Sequence, residues 1–162
     1  MNVYNLGLGY NGYPIKKLKK SMMNHDKKTD AMMLVGRVLI AIIFIVSGWA
    51  KITGFTGTVT YTGTVLPFPE LMVVIAIILE FVGGIMLLVG YKVRLAAAGL
   101  ILFTTVAALG FHTNFTDQMQ TVHFMKNLAI IGGLLYVKSF GAGAYAIGNG
   151  KKAVSMPDSP AS

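Results

Sequence analysis

Cysteine is absent from the 162-residue chain. That excludes a disulfide framework, a CxxC redox pair, thiolate metal sites and a cysteine nucleophile. Charge is also scarce. Charged residues make up 12% of the chain, about half the roughly 25% usual in soluble domains. Only six residues are acidic. Hydrophobic residues reach 54%, with a mean hydropathy of +0.65. Such a composition excludes a disordered chain, a collagen and a basic soluble nucleic-acid-binding domain, so no nucleic-acid partner is expected. No phosphate-binding glycine loop, nucleophile elbow or haem motif occurs either.

What is present is apolar and long. Four apolar segments, 31–50, 71–91, 95–111 and 124–137, lie between polar ends. A membrane-crossing helix needs roughly 20 mainly apolar residues. The first three segments meet that need, carrying only Arg37, only Glu80 and no charge respectively. The fourth meets it if Lys126 and Lys138 snorkel to opposite interfaces. A cleaved signal peptide is the weaker reading of the first segment, because Arg37 interrupts it and three more spans follow. The expected partner is therefore a lipid bilayer. The expected domains are a disordered basic tail (1–30), a four-span domain (31–147) and a disordered C-terminal tail (148–162).

The net charge of +8 is distributed unevenly. Eleven of the fourteen lysines and arginines fall in the N-terminal tail, at positions 92 and 94, at Lys138 or in the C-terminal tail. Four crossings put all of these on one side, and the positive-inside rule makes that side cytoplasmic. The fold class expected is all-α, an integral membrane four-helix bundle with both termini cytoplasmic. The threonine-rich connection 53–70 has extended propensity. A lone hairpin is marginal, however, and a short surface helix is the alternative. The glycine pairs 83–84 and 132–133 sit in similar apolar contexts, a weak internal repeat suited to close helix approach.

Two groups of residues carry possible chemistry. Glu80 lies midway along its span, where a lone carboxylate costs roughly 2.5–3.5 kcal/mol on insertion scales. Arg37, on the preceding span, is its expected partner. The pair reads either as proton-handling machinery or as a structural lock on helix register. The second group gathers at the opposite helix ends. Trp49 and Lys51 close the first span, His112 follows the third, and His123, Lys126 and Asn127 open the fourth. Together they would line one outward pocket, cationic and aromatic, suited to an anion or to the carbonyl head of a quinone. The competing reading is ordinary interface anchoring, which Asn127 fits least because it lies deeper. His112, His123 and Asp117 match no metal-ligand spacing, so no metal site is expected.

Arg37, then Ser47-Gly48-x-x-Lys51, Glu80-x-x-Gly83-Gly84, Gly90, Arg94-x-Ala96-Ala97 and His112 together resemble the DoxX family of small bacterial membrane proteins. The stretch His123-Phe124-x-Lys126-Asn127-Leu128-Ala129, followed by a glycine pair, adds to the likeness. The resemblance covers roughly residues 31–143. It departs from many members in lacking an acidic C-terminal ending. It implies a four-helix, multi-pass protein of the bacterial inner membrane. The family is named for a subunit linked to thiosulfate oxidation with quinone as acceptor, and other members are thought to assemble with redox or detoxifying enzymes. A redox-associated, quinone-linked membrane subunit is therefore the expected function, with quinone as the possible cofactor and a protein partner or homo-oligomer implied. Whether the chain is itself an enzyme stays open. The alternatives are a non-enzymatic scaffold that recruits or stabilises a partner complex, and a small-solute or proton pathway.

Overall fold

The computed structural model of the chain describes residues 15–147, with side chains from residue 27 onward. Among these residues the regular structure is entirely helical. The elements are α1 (Ile15–Thr53), α2 (Phe55–Thr62), α3 (Pro69–Ile77), a π-helical turn (Ile78–Val82), α4 (Gly83–Val89), α5 (Val93–Phe111) and α6 (Gln118–Phe140). The π turn joins α3 and α4 into one rod, Pro69–Val89. Three stretches are long and apolar enough to cross a membrane: Lys27–Thr53, Pro69–Val89 and Val93–Phe111. The 23-residue α6 packs along α5 in the most extensive helix contact.

Local chemistry sets the boundaries. Pro69 opens its rod at a first-turn position, where no backbone donor is needed. Gly90 closes α4 in the left-handed region at φ +81°. There Tyr91 N–H donates to Met86 O at 3.0 Å and Gly90 N–H to Leu87 O at 3.3 Å, the two bonds of a Schellman cap. Asp117 caps α6 by accepting from Met119 N–H at 2.8 Å.

Glycine brings the helices together. A Cβ at Gly84 would lie 2.9 Å from Ile45 Cγ1 and 3.1 Å from its backbone nitrogen, and one at Gly48 would lie 2.9 Å from the backbone nitrogen of Phe81. α1 and the Pro69–Val89 rod therefore touch almost backbone to backbone. Gly133 instead makes room for the tip of the Ile40 side chain, its Cδ1 2.9 Å from where a Cβ would sit, whereas Gly132 faces open space. The core between the rods holds Ala41, Phe44, Leu87, Ala97, Leu100 and Leu134. The outer faces stay apolar and exposed, as Val35, Leu39, Val46, Leu95, Leu102 and Leu109 show. Such a surface suits lipid and not water.

Two expectations are modified. Helix α1 begins at Ile15, inside the stretch expected as a disordered tail up to residue 30. Residues 1–14 and the tail 148–162 lie outside the described residues. The threonine-rich connection takes its helical alternative as α2. There Thr58 and Thr60 turn their hydroxyls back to Gly54 O and Thr56 O, each at 3.0 Å, so helix satisfies groups that an unpaired strand would leave open.

Candidate functional site

The centre of the molecule holds an ion pair. Glu80 sits in the π turn and is 4% exposed. Its Oε2 lies 2.7 Å from Lys51 Nζ. Its Oε1 accepts from Ser47 Oγ at 2.9 Å, and Lys51 Nζ in turn donates to Ser47 Oγ at 2.8 Å. Ser47 and Lys51 stand one turn apart on α1, so their side chains meet on one face. The lysine bends back into the bundle from the end of its helix. A π turn widens the helix by one residue and often marks a functional position, and here it carries Glu80 toward α1.

Arg37 is not the partner of Glu80. The helices are antiparallel, and the Ser47–Glu80 contact sets their register. Arg37 is ten residues back along α1, about 15 Å away at 1.5 Å per residue. It lies beside Gly90, where a Cβ would come within 3.0 Å of its Nη1. Arg37 is 2% exposed. It donates to the carbonyls of Ala142 and, at 2.6 Å, Tyr145. Two further bonds secure this C-terminal loop, Ala144 N–H to Asp30 Oδ1 at 3.2 Å and Ile147 N–H to Val89 O at 3.0 Å. The expected Arg37–Glu80 pair therefore does not form, because Lys51 offers the carboxylate a nearer ammonium.

Beside the ion pair lies a cavity of about 460 Å³. Lys51, Glu80 and Ser47 line it, and so do His112, Lys126 and Asn127. Five of the residues singled out in the sequence thus share one space. Phe44, Phe103, Phe111 and Tyr61 supply aromatic surface, and α2 lies across the space through Thr58, Tyr61 and Thr62. Tyr61 stacks on Phe111 with ring centroids 5.5 Å apart. Trp49 stands outside, 57% exposed, with its ring 6.3 Å from Phe81. His123 is also outside the lining. Its ring lies 5.1 Å from that of His112, and its Nδ1 is 3.2 Å from Lys126 Nζ. His112 Nδ1 meets Gln120 Oε1 at 2.6 Å. Tyr61, Thr104 and Gln120 were not singled out in the sequence. Thr104 had a signal, since Thr104-Thr105 are the hydroxyl residues of an otherwise apolar span.

A chain whose described residues are all helical in their regular structure, with several membrane-length apolar helices and an ion pair held among them, is an integral membrane protein of the multi-pass kind. The chain belongs to the DoxX family, whose model matches residues 32–113. It is 42% identical over 121 residues to the inner membrane protein YqjF of Escherichia coli, covering 75% of this chain and 92% of that one. It is 31% identical over 122 residues to the inner membrane protein YphA of the same organism, covering 72% and 87%. A more distant similarity, 30% over 133 residues, reaches the ER-derived vesicles protein ERV29 of Saccharomyces cerevisiae, of which 36% is covered. No solved structure matches. The protein is accordingly a multi-pass protein of the bacterial inner membrane.

Proposed function

We propose that the chain is a quinone-linked, redox-associated membrane subunit with four spans, α6 being the fourth, and with both termini cytoplasmic. The observation that carries this is the Lys51–Glu80 pair at the wall of a membrane-depth cavity that also has aromatic sides. In this orientation the cavity opens outward. Its volume falls within the range of roughly 300–1,000 Å³ typical of small-ligand sites. Aromatic faces suit a flat ring, and the Lys51, His112, Lys126 and Asn127 groups can donate to ring carbonyls. When bound, a quinone would supply the electron-carrying chemistry that a chain without cysteine lacks.

The chain's own residues then divide the work. Lys126 stands at the rim, and both it and His112 line the cavity that the head group enters. Glu80, hydrogen-bonded to Ser47 and paired with Lys51, holds a proton acceptor at the cavity wall. Arg37 takes no part and fixes the C-terminal loop.

The test is lipid extraction and mass spectrometry of gently purified protein. Quinone should co-purify with the wild type, and His112→Ala should lose it while expression holds; Lys51→Ala should lose it together with stability, since it strands the Glu80 carboxylate. Lys126→Arg keeps charge and interface preference but changes hydrogen-bond geometry, so it should also weaken retention. No quinone in the wild type, with a stoichiometric protein partner instead, would replace this reading by that of a scaffold.

A further inference from the structure

Four polar side chains from four helical segments lie near one level of the cavity, and two of them have no hydrogen-bond partner among the described residues. Ser47 and Glu80 share a depth through their 2.9 Å hydrogen bond. On α5, Leu100 packs against Gly83, where a Cβ would lie 3.3 Å from its Cγ. From that contact Thr104 lies four residues along α5, about 6 Å, and Glu80 three residues back along the opposed rod, about 4.5 Å. On α6, Gly133 packs against Ile40, and from there Asn127 and Ser47 lie about 9 and 10 Å in the same direction. Thr104 and Asn127 therefore complete a layer with Ser47 and Glu80, and all four line the cavity.

The Thr104 hydroxyl is unusual. Thr105 donates to the carbonyl one turn back, Ile101 O, at 2.8 Å, and Thr58 and Thr60 do likewise in α2. Thr104 is 3% exposed, and its Oγ1 has no hydrogen-bond partner among the described residues. A buried hydroxyl without a partner is destabilising by itself. It is accounted for if a bound molecule accepts the bond. The Asn127 carboxamide, half-buried on the facing helix, likewise bonds no described residue.

Charge decides what that molecule is. Glu80 is matched by Lys51 at 2.7 Å, so the layer offers hydrogen bonds without an excess cation. Lys126 is exposed and turned toward His123 at the rim. We propose that the ligand's head group sits in this deep layer, below the rim, and that Thr104 and Asn127 select a neutral, carbonyl-bearing amphiphile over an anion. This rests on the reading of the cavity as a ligand site. An anion here would confront the Glu80 carboxylate, with its one neighbouring cation already engaged.

The test uses the full chain in phosphatidylcholine nanodiscs and three probes of similar tail length: decylubiquinone, 2-undecanone and decanoate. Dissociation constants are measured for wild type, Thr104→Val, Thr104→Ser and Asn127→Leu. Both neutral probes should bind more tightly than decanoate. Thr104→Val and Asn127→Leu should each weaken them about five- to tenfold, and Thr104→Ser should retain binding. Unliganded Thr104→Val should melt no lower than wild type, because it removes an unpartnered hydroxyl. Thr104-dependent binding of 2-undecanone without decylubiquinone would support this inference and sink the quinone reading. Decylubiquinone bound equally well by Thr104→Val and Asn127→Leu would overturn this inference and leave the quinone reading standing. Preference for decanoate, binding of none of the probes, or a lower melting point for unliganded Thr104→Val would each overturn it.

Discussion

At the scale of single residues, the fate of Glu80 is decided by what it can reach. Its carboxylate is almost wholly buried, and the lysine that meets it keeps a quarter of its side chain exposed. Removing one partner leaves a charge in hydrocarbon. Breaking a fully buried pair costs about 3–5 kcal/mol, and partial solvation of Lys51 lowers that to about 2–3 kcal/mol. Lys51→Met and Glu80→Met should each destabilise the detergent-solubilised protein by that amount. The double substitution should cost clearly less than their sum. Arg37→Leu combined with Glu80→Met should be additive within about 0.5 kcal/mol, since the two sites share no partner. Denaturant titration of the variants checks both cycles, and additivity for Lys51 with Glu80 would remove the pair from any mechanism. The sequence made Glu80 conspicuous, because a carboxylate at mid-span is costly. It did not reveal the partner. Arg37 and Lys51 are both cations on the same helix, at opposite distances from Glu80. Only the register and the inward bend of Lys51 choose between them, and register is fixed by glycine contacts that composition does not disclose.

At the scale of elements, packing rests on which glycines are covered. The apolar runs announced the rods, because unbroken hydrophobic length has few other uses. The glycine pairs announced close approach but not which member makes it. Gly48 and Gly84 each have backbone atoms within 3.1 Å of where a Cβ would sit, whereas Gly132 has nothing within 4 Å. Gly84→Val and Gly48→Val should therefore force α1 and the Pro69–Val89 rod apart, lowering stability by about 2 kcal/mol or more. Gly132→Ala should be neutral or slightly stabilising. Melting of the three variants in detergent tests the ranking, and a harmful Gly132→Ala would contradict it. The π turn was not legible, since no residue type in 78–82 demands one. The C-terminal loop hangs on Arg37 in a similar way. Arg37→Lys gives up the planar fork that serves two carbonyls. Hydrogen exchange at Ile147, whose N–H bonds Val89 O, should then speed up severalfold while exchange within α5 stays the same. Equal protection of Ile147 in both proteins would show that the loop holds without the fork.

At the scale of the whole molecule, the distribution of cations and the shape of the helical core make one joint statement about orientation. The end holding Tyr91, Lys92, Arg94 and Lys138 is rich in positive charge. The end holding His112 and Asp117 carries only Lys51 and Lys126 nearby, both turned to partners. In the bacterial inner membrane the first end should face the cytoplasm. α6 is the uncertain element from sequence alone, because Lys126 interrupts its apolar run. It packs along α5 beyond the bend at Asn114, and in the four-span reading that makes it the returning span. The natural absence of cysteine makes a clean test possible, because each introduced thiol is the only one. Asn114→Cys should react with a membrane-impermeant maleimide in intact spheroplasts. Tyr91→Cys and Ser139→Cys should react only after the membrane is opened. Asn114 and Ser139 flank α6, so opposite labelling at these two sites requires the helix to cross. Labelling of both from outside would mean that α6 lies along the surface. The cavity would then lose a wall made of Lys126, Asn127 and Ile130, and the polar layer that joins Asn127 to Thr104 could not form.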